Sequence, residues 1–223
     1  MGAEDTRRTG ERSMIGTGVA PDLVRGTDGR ARCWWAVNHA LLESYHDHEW
    51  GRGARDETGL FERLSLEAFQ AGLSWWLVLQ RREALRRAFA AFEPAAVARL
   101  TAVDVERILA LPGVIRNRAK VEAVIANARV LTGLHAAGTG LAAVTAEVIA
   151  TAPIPATPRP RRRADVASSS ATSIALARHL RALGWRFVGP VTAYAYLQAA
   201  GWIDDHLAGC HVQLAAGPGS GLR

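Results

Sequence analysis

The chain has 223 residues, enough for one buried core or two small lobes sharing a cleft. Hydrophobic residues make up 49% and charged ones 22%, and no run of about eighteen apolar residues occurs, so a transmembrane helix is excluded. Lys and Arg total 27 against 21 Asp and Glu, a net charge of +6 carried by arginine. Arginine forks two hydrogen bonds onto phosphate oxygens, which makes nucleic acid a candidate partner; a GC-rich genome that writes arginine onto solvated faces leaves the same composition.

In chain order, residues 1–30 hold Arg7, Arg8 and Arg12 among glycines and acids, without the apolar segment of a secretory signal. They read as a disordered extension of a cytoplasmic protein. A folded domain is expected over 31–212 and a flexible tail over 213–223. Apolar residues recur at three- and four-residue spacing throughout, with no sustained alternation, so the fold class is all-α. Leu60, Phe61, Leu64, Leu66 and Phe69 mark one helix leading into QAGLSWW; Leu85, Ala88, Phe89 and Phe92 mark another. Thr101 and Asp104 make a capping box for a helix that stops at Leu111-Pro112-Gly113, and Asn117 caps the next. Residues 151–170, rich in Pro, Arg and Ser, read as a long loop or linker. Beyond it, Thr172 is placed as the cap of one helix, and Gly189-Pro190 opens a last helix ending near Gly201.

Three constellations carry chemistry. Cys33, His46, His206 and Cys210 are the candidate metal ligands; His206 and Cys210 are four residues apart, the spacing of one helix face. Two thiolates and two imidazoles would close a tetrahedral shell around Zn²⁺, a structural site with no open position. Two buried thiols and two surface histidines fit the same spacing. His39, His48, His135, His179 and His211 receive no role. The hairpin LPGVIRNRAK, with Gly113, Arg116, Arg118 and Lys120, offers a helix N-terminus and cations to a phosphate, or is an ordinary helical hairpin with a glycine cap. Glu67, in an apolar stretch, shares a helix side with Gln70, and Trp75, Trp76, Trp34, Trp35, Trp50 and Tyr45 crowd the neighbouring segments. An acid among aromatic rings suits a flat cationic base; composition alone favours an aromatic core with one hydrogen-bonded glutamate.

The spellings go further. R-C-W-W (32–35), Y-H-D-H-E-W-G (45–51), L-E-A-F-Q-A-G-L-S-W (66–75), G-W-R-F-V-G-P (184–190) and Q-A-A-G-W-I-D-D-H-L-A-G-C (198–210) closely resemble, in this order, the DNA-3-methyladenine glycosylase I family of helix-hairpin-helix glycosylases. The likeness runs from Arg32 to Cys210 and is weak between about 135 and 170. It implies a helix-hairpin-helix fold, one structural Zn²⁺ on Cys33, His46, His206 and Cys210, and a monomer acting on double-stranded DNA. It places base recognition on Glu67 and Tyr45 with Trp75 stacking on a flipped 3-methyladenine, and Trp35 and Trp50 in the same pocket. The expected activity is monofunctional hydrolysis of the N-glycosidic bond, with a fixed negative charge on Glu67. The aspartate that related glycosylases carry some twenty residues past the hairpin has no counterpart in 130–140, nor does a lysine. Leu42 stands where the family often has a second tyrosine, which leaves room for a shifted lesion range. A catalytically silent, zinc-clipped nucleic-acid-binding module is the alternative from another class.

Overall fold

The computed structural model describes residues 22–37, 39–53 and 56–214. Among these residues it has nine α-helices and one small sheet. The helices are α1 (Ala40–His48), α2 (Glu57–Gln70), α3 (Trp75–Ala88), α4 (Pro94–Ala98), α5 (Ala102–Ala110), α6 (Arg118–Ala136), α7 (Leu141–Thr151), α8 (Ala171–Ala182) and α9 (Pro190–Ala199). None is long and apolar enough by itself to cross a membrane.

Helix α2 is the hub. Asp56 starts it by accepting from the Gly59 N–H at 2.7 Å. Buried residues follow on most of its circumference, because α3, α6, α7 and α9 all pack on it. Phe61, Phe69, Phe89 and Phe92 are fully buried in this core, each side chain contributing about 1.5–3 kcal/mol through removal from water. The capping box on Thr101 and the Asn117 cap form as the sequence predicts. For α8 the cap is Ser170, not Thr172: Ser170 accepts from Ser173 N–H, while Thr172 is buried in the first turn and donates to the Pro153 carbonyl.

The all-α expectation needs one correction. Strands β1 (Leu23–Arg25) and β2 (Ala31–Cys33) pair antiparallel, with Leu23 opposite Cys33. Period-two patterning cannot be read from three-residue strands, and the turn between them, with Gly29 at φ +76°, is short. Ordered chain therefore reaches back into the expected extension, to Asp22; residues 1–21 and 215–223 lie outside the described residues. The His211 N–H donates to the Ala31 carbonyl at 2.8 Å, bringing the two ends of the fold together.

Between α7 and α8 the expected long loop forms, and it is pinned at several points as a strap. The Ala208 N–H donates to Pro160 O at 2.7 Å, and Arg159 pairs with Asp204 at 2.6 Å and donates to Val212 O at 2.8 Å. The Arg163 N–H donates to Asp22 at 3.2 Å. Gly201 (φ +78°) closes the same end: a Cβ there would lie 2.6 Å from the Gly51 carbonyl, so only glycine lets the end of α9 lie on the turn after α1.

Candidate active site

Between α2 and α3 the chain must turn sharply. Gln70 ends one helix, Gly72 takes φ +79°, and Ser74 restarts the next by accepting from Leu77 N–H. This break places Glu67, Gln70, Trp75 and Trp76 on one cavity of about 380 Å³. The opposite wall comes from the N-terminal segment: Trp34, Trp35, Leu42, Tyr45 and Trp50. All six residues assigned to base binding from the sequence (Glu67, Tyr45, Trp75, Trp35, Trp50 and Gln70) thus line the same space.

The rings are closely set. Tyr45 and Trp75 have centroids 5.1 Å apart, and Trp35 meets Trp50 edge-on at 5.0 Å. The Trp75 indole N–H is buried with no hydrogen-bond partner among the described residues. Glu67 is 6% exposed, and its carboxyl accepts no hydrogen bond from them. Burial alone pushes its pKa up to about 8. Burial thus favours the protonated carboxyl in the free protein, against the fixed charge the resemblance implies. Burial, and next the neighbouring Glu67, keep the Tyr45 phenol well above its ordinary pKa, so it remains a neutral donor.

Sequence reasoning missed several wall residues. Asp205 puts a second carboxylate on the cavity; one oxygen accepts from Tyr194 at 2.7 Å and Gln198 at 2.6 Å. Its signal was the acid pair in W-I-D-D-H. His39, given no role, stacks on Trp76 at 3.9 Å; nothing in its spacing announces that.

Behind the aromatic wall lies a polar cluster. Cys33, His46, His206 and Cys210 are all essentially inaccessible. Ligand atoms of Cys33, His46 and Cys210 lie within 4.8 Å of one another, and the His206 ring sits 4.9 Å from that of His46. His46 donates from Nδ1 to Asp47 at 2.8 Å, His206 from Nδ1 to Asp204 at 3.0 Å. Their Nε2 atoms are left to face other partners: that of His46 is 3.5 Å from the Cys210 sulfur, and that of His206 is buried with no partner among the described residues. Soft donors, two oriented imidazoles and an orphaned nitrogen make a set that could hold one tetrahedral metal ion. Asp47 is further braced by Arg32 at 2.8 Å and by His211 at 2.9 Å.

The hairpin differs from expectation in one respect. Lys120, placed on DNA by the sequence reading, is buried and donates to the carbonyls of Phe69 and Ala71 at 2.7 and 2.6 Å. It ties α6 to the turn before Trp75. Arg118 is exposed and paired with Glu106 at 2.7 Å; Arg116 is exposed. Gly113, at φ +81°, has Ala84 3.1 Å from where a Cβ would stand, so packing on α3 already calls for glycine. Accordingly Lys120→Met should lower stability by about 1–3 kcal/mol through two orphaned carbonyls, a fall of several degrees in melting temperature, while leaving the salt dependence of DNA binding unchanged. Calorimetry and a binding titration on the same variant check both parts.

The family model for methyladenine glycosylases matches residues 35–213. The chain belongs to the methyladenine glycosylase family. Among its relatives, the DNA-3-methyladenine glycosylase of Haemophilus influenzae is 37% identical over 179 residues, covering 80% of this chain and 96% of that protein. A crystal structure of 3-methyladenine DNA glycosylase I superposes with a TM-score of 0.76 at 36% identity, over 84% of this chain and 100% of that one. A structure of 3-methyladenine DNA glycosylase I from Staphylococcus aureus, describing its recognition of 3-methyladenine, has a TM-score of 0.72 at 34% identity, over 78% and 92% of the two chains. Family membership makes the buried acid among aromatic rings the part of this fold to interpret.

Proposed function

We propose that the protein is a DNA base-excision glycosylase that hydrolyses the N-glycosidic bond of 3-methyladenine in alkylated DNA, acting as a cytoplasmic monomer on the duplex. The observation that carries this reading is Glu67: a buried carboxyl with no hydrogen-bond partner among the described residues, set among aromatic rings in a cavity large enough for one base, within a methyladenine glycosylase fold. The silent binding-module alternative has no use for such a group.

A flipped purine enters the cavity and stacks on Trp75, with the neutral Tyr45 phenol as a hydrogen-bond donor to it. Methylation at N3 makes the base cationic, so Glu67 releases its proton to bulk solvent as the base enters and its carboxylate pairs with the ring in a water-poor site, where the attraction is strong. Neutral adenine offers no such exchange, and selectivity is electrostatic as well as steric. As the C1′–N9 bond breaks, its electrons neutralise the departing ring and the positive charge passes to the sugar, where water adds to C1′ and loses a proton to solvent; the DNA phosphates beside it stabilise that charge. A Schiff-base step has no candidate among the side chains, because the only lysine of the sequence, Lys120, is buried on two carbonyls.

Zn²⁺ held by Cys33, His46, His206 and Cys210 would supply a cross-link and no reacting ligand, since four protein donors fill its shell. The hairpin, with Gly113, Arg116 and Arg118, grips DNA in the manner of a helix-hairpin-helix motif. To test the activity, purified protein is incubated with methylated duplex DNA and the liberated bases are separated by chromatography. Release of 3-methyladenine is expected; binding without any free base would overturn the reading in favour of the silent module.

A further inference from the structure

We propose that the strap residues Arg161 and Arg163 form a second phosphate grip, at the rim of the cavity, for the DNA strand that delivers the flipped nucleotide. The inference rests on the glycosylase reading above. Val166 on the strap and Trp34 beneath it are both half-buried and both line the cavity, as do the half-buried Gln70, Trp75 and Trp76, whereas Glu67 and Tyr45 are buried, so the strap forms part of the cavity's partly open rim. The Arg163 guanidinium lies over the Trp34 ring, 5.4 Å from its centroid. Stacked in this way, its N–H edges stay free for an anion.

The strap backbone is fixed before any ligand arrives. The N–H groups of Arg161 and Arg162 donate to the Asp165 carboxylate at 3.1 and 2.9 Å, and that of Arg163 to Asp22. All three side chains are exposed. Arg162 pairs with Asp165 at 3.3 Å, but the side chains of Arg161 and Arg163 have no hydrogen bond or ion pair among the described residues. Arg159, two residues before Arg161, is spent on Asp204 instead. A hydrogen-bonded turn that holds two exposed guanidinium groups without an acidic partner beside the cavity rim is the arrangement expected where a polyanion must pass. The strand feeding a nucleotide past that rim carries phosphates on either side of it.

The test uses the full chain and a duplex bearing one abasic-site analogue, with the dissociation constant measured across a range of salt concentrations. Arg161→Ala/Arg163→Ala should reduce the slope of log K against log salt by about 1.8, near 0.9 for each phosphate left without its arginine. Arg161→Ala alone, whose side chain supports nothing in the fold, should reduce it by about 0.9. Arg178→Ala, exposed on α8 and outside the cavity lining, is the charge control and should leave the slope unchanged. Circular dichroism melts should coincide for wild type, Arg161→Ala and Arg178→Ala, which makes the single strap variant the deciding one. An unchanged slope in Arg161→Ala, or an equal fall per arginine in Arg178→Ala, would overturn the proposal. Failure of the glycosylase reading shows itself separately, as wild-type protein that releases no base.

Discussion

Glu67→Gln should cut 3-methyladenine release by roughly 10²-fold, the weight of one charge-assisted interaction in a dry site, about 2–3 kcal/mol. The pH profile makes the test specific. Because burial pushes the Glu67 pKa up to about 8, the cationic base must displace a proton at lower pH, and kcat/KM for the wild type should rise about tenfold per pH unit up to that point and then level. The glutamine variant should lack this limb. Stability moves the other way. Between the ordinary value of 4.5 and about 8 the unfolded chain gives up this proton while the folded chain keeps it; the unfolded state then binds fewer protons, and stability falls as pH rises through that window. Glutamine removes the penalty, so the variant should melt higher than the wild type at pH 8, by the equivalent of a few kcal/mol, with the gap closing towards pH 5. A variant that releases base at the wild-type rate with the wild-type pH profile would remove Glu67 from the reaction.

Replacing Cys210 with serine should have the larger structural effect. The proposed Zn²⁺ would be held by two donors from residues 33–46 and two from residues 206–210, so one lost thiolate frees both segments. Structural zinc in small domains is worth about 10–16 kcal/mol at neutral pH, and losing even a third of that corresponds to a fall on the order of 10 °C in melting temperature for a chain of this size. Elemental mass spectrometry should find one zinc per wild-type chain and none in Cys210→Ser, and protease should cut the variant first near residues 33–50. Wild-type protein that carries no stoichiometric metal after gentle purification would refute the assignment. Loss of the segment also strips Trp35, Tyr45 and Trp50 from the cavity wall, so base release should fall with the metal content.

Much of the site was legible because its residues are of types that rarely gather by accident. Glu67 inside an apolar run, tryptophan pairs, and Cys–His spacings at both ends pointed to one pocket and one cluster. Helix starts were legible where a short polar side chain had no competitor, as at Asn117 and Thr101. At α8 the cap read from the sequence, Thr172, is buried by packing, and Ser170 two residues earlier takes the role. The sheet was invisible because three residues cannot display a period. Lys120 was misread because a cation at a helix start looks the same whether it reaches outward to phosphate or inward to the carbonyls of a neighbouring turn. The strap hid its order for a related reason: Arg159 acquires its partner only through Asp204, 45 residues on, and no local pattern reports that pairing.

Ordering along the chain gives the polar cluster a role in timing. During synthesis, Tyr45, Glu67 and Trp75 leave the ribosome long before His206 and Cys210. Until those last donors emerge, the N-terminal segment has nothing to lock against, and one wall of the base-binding space stays unset. A nascent protein would therefore complete this space only after residues 206–210 have emerged, and messages truncated before residue 206 would yield chains that carry Tyr45, Glu67 and Trp75 without the segment that sets them.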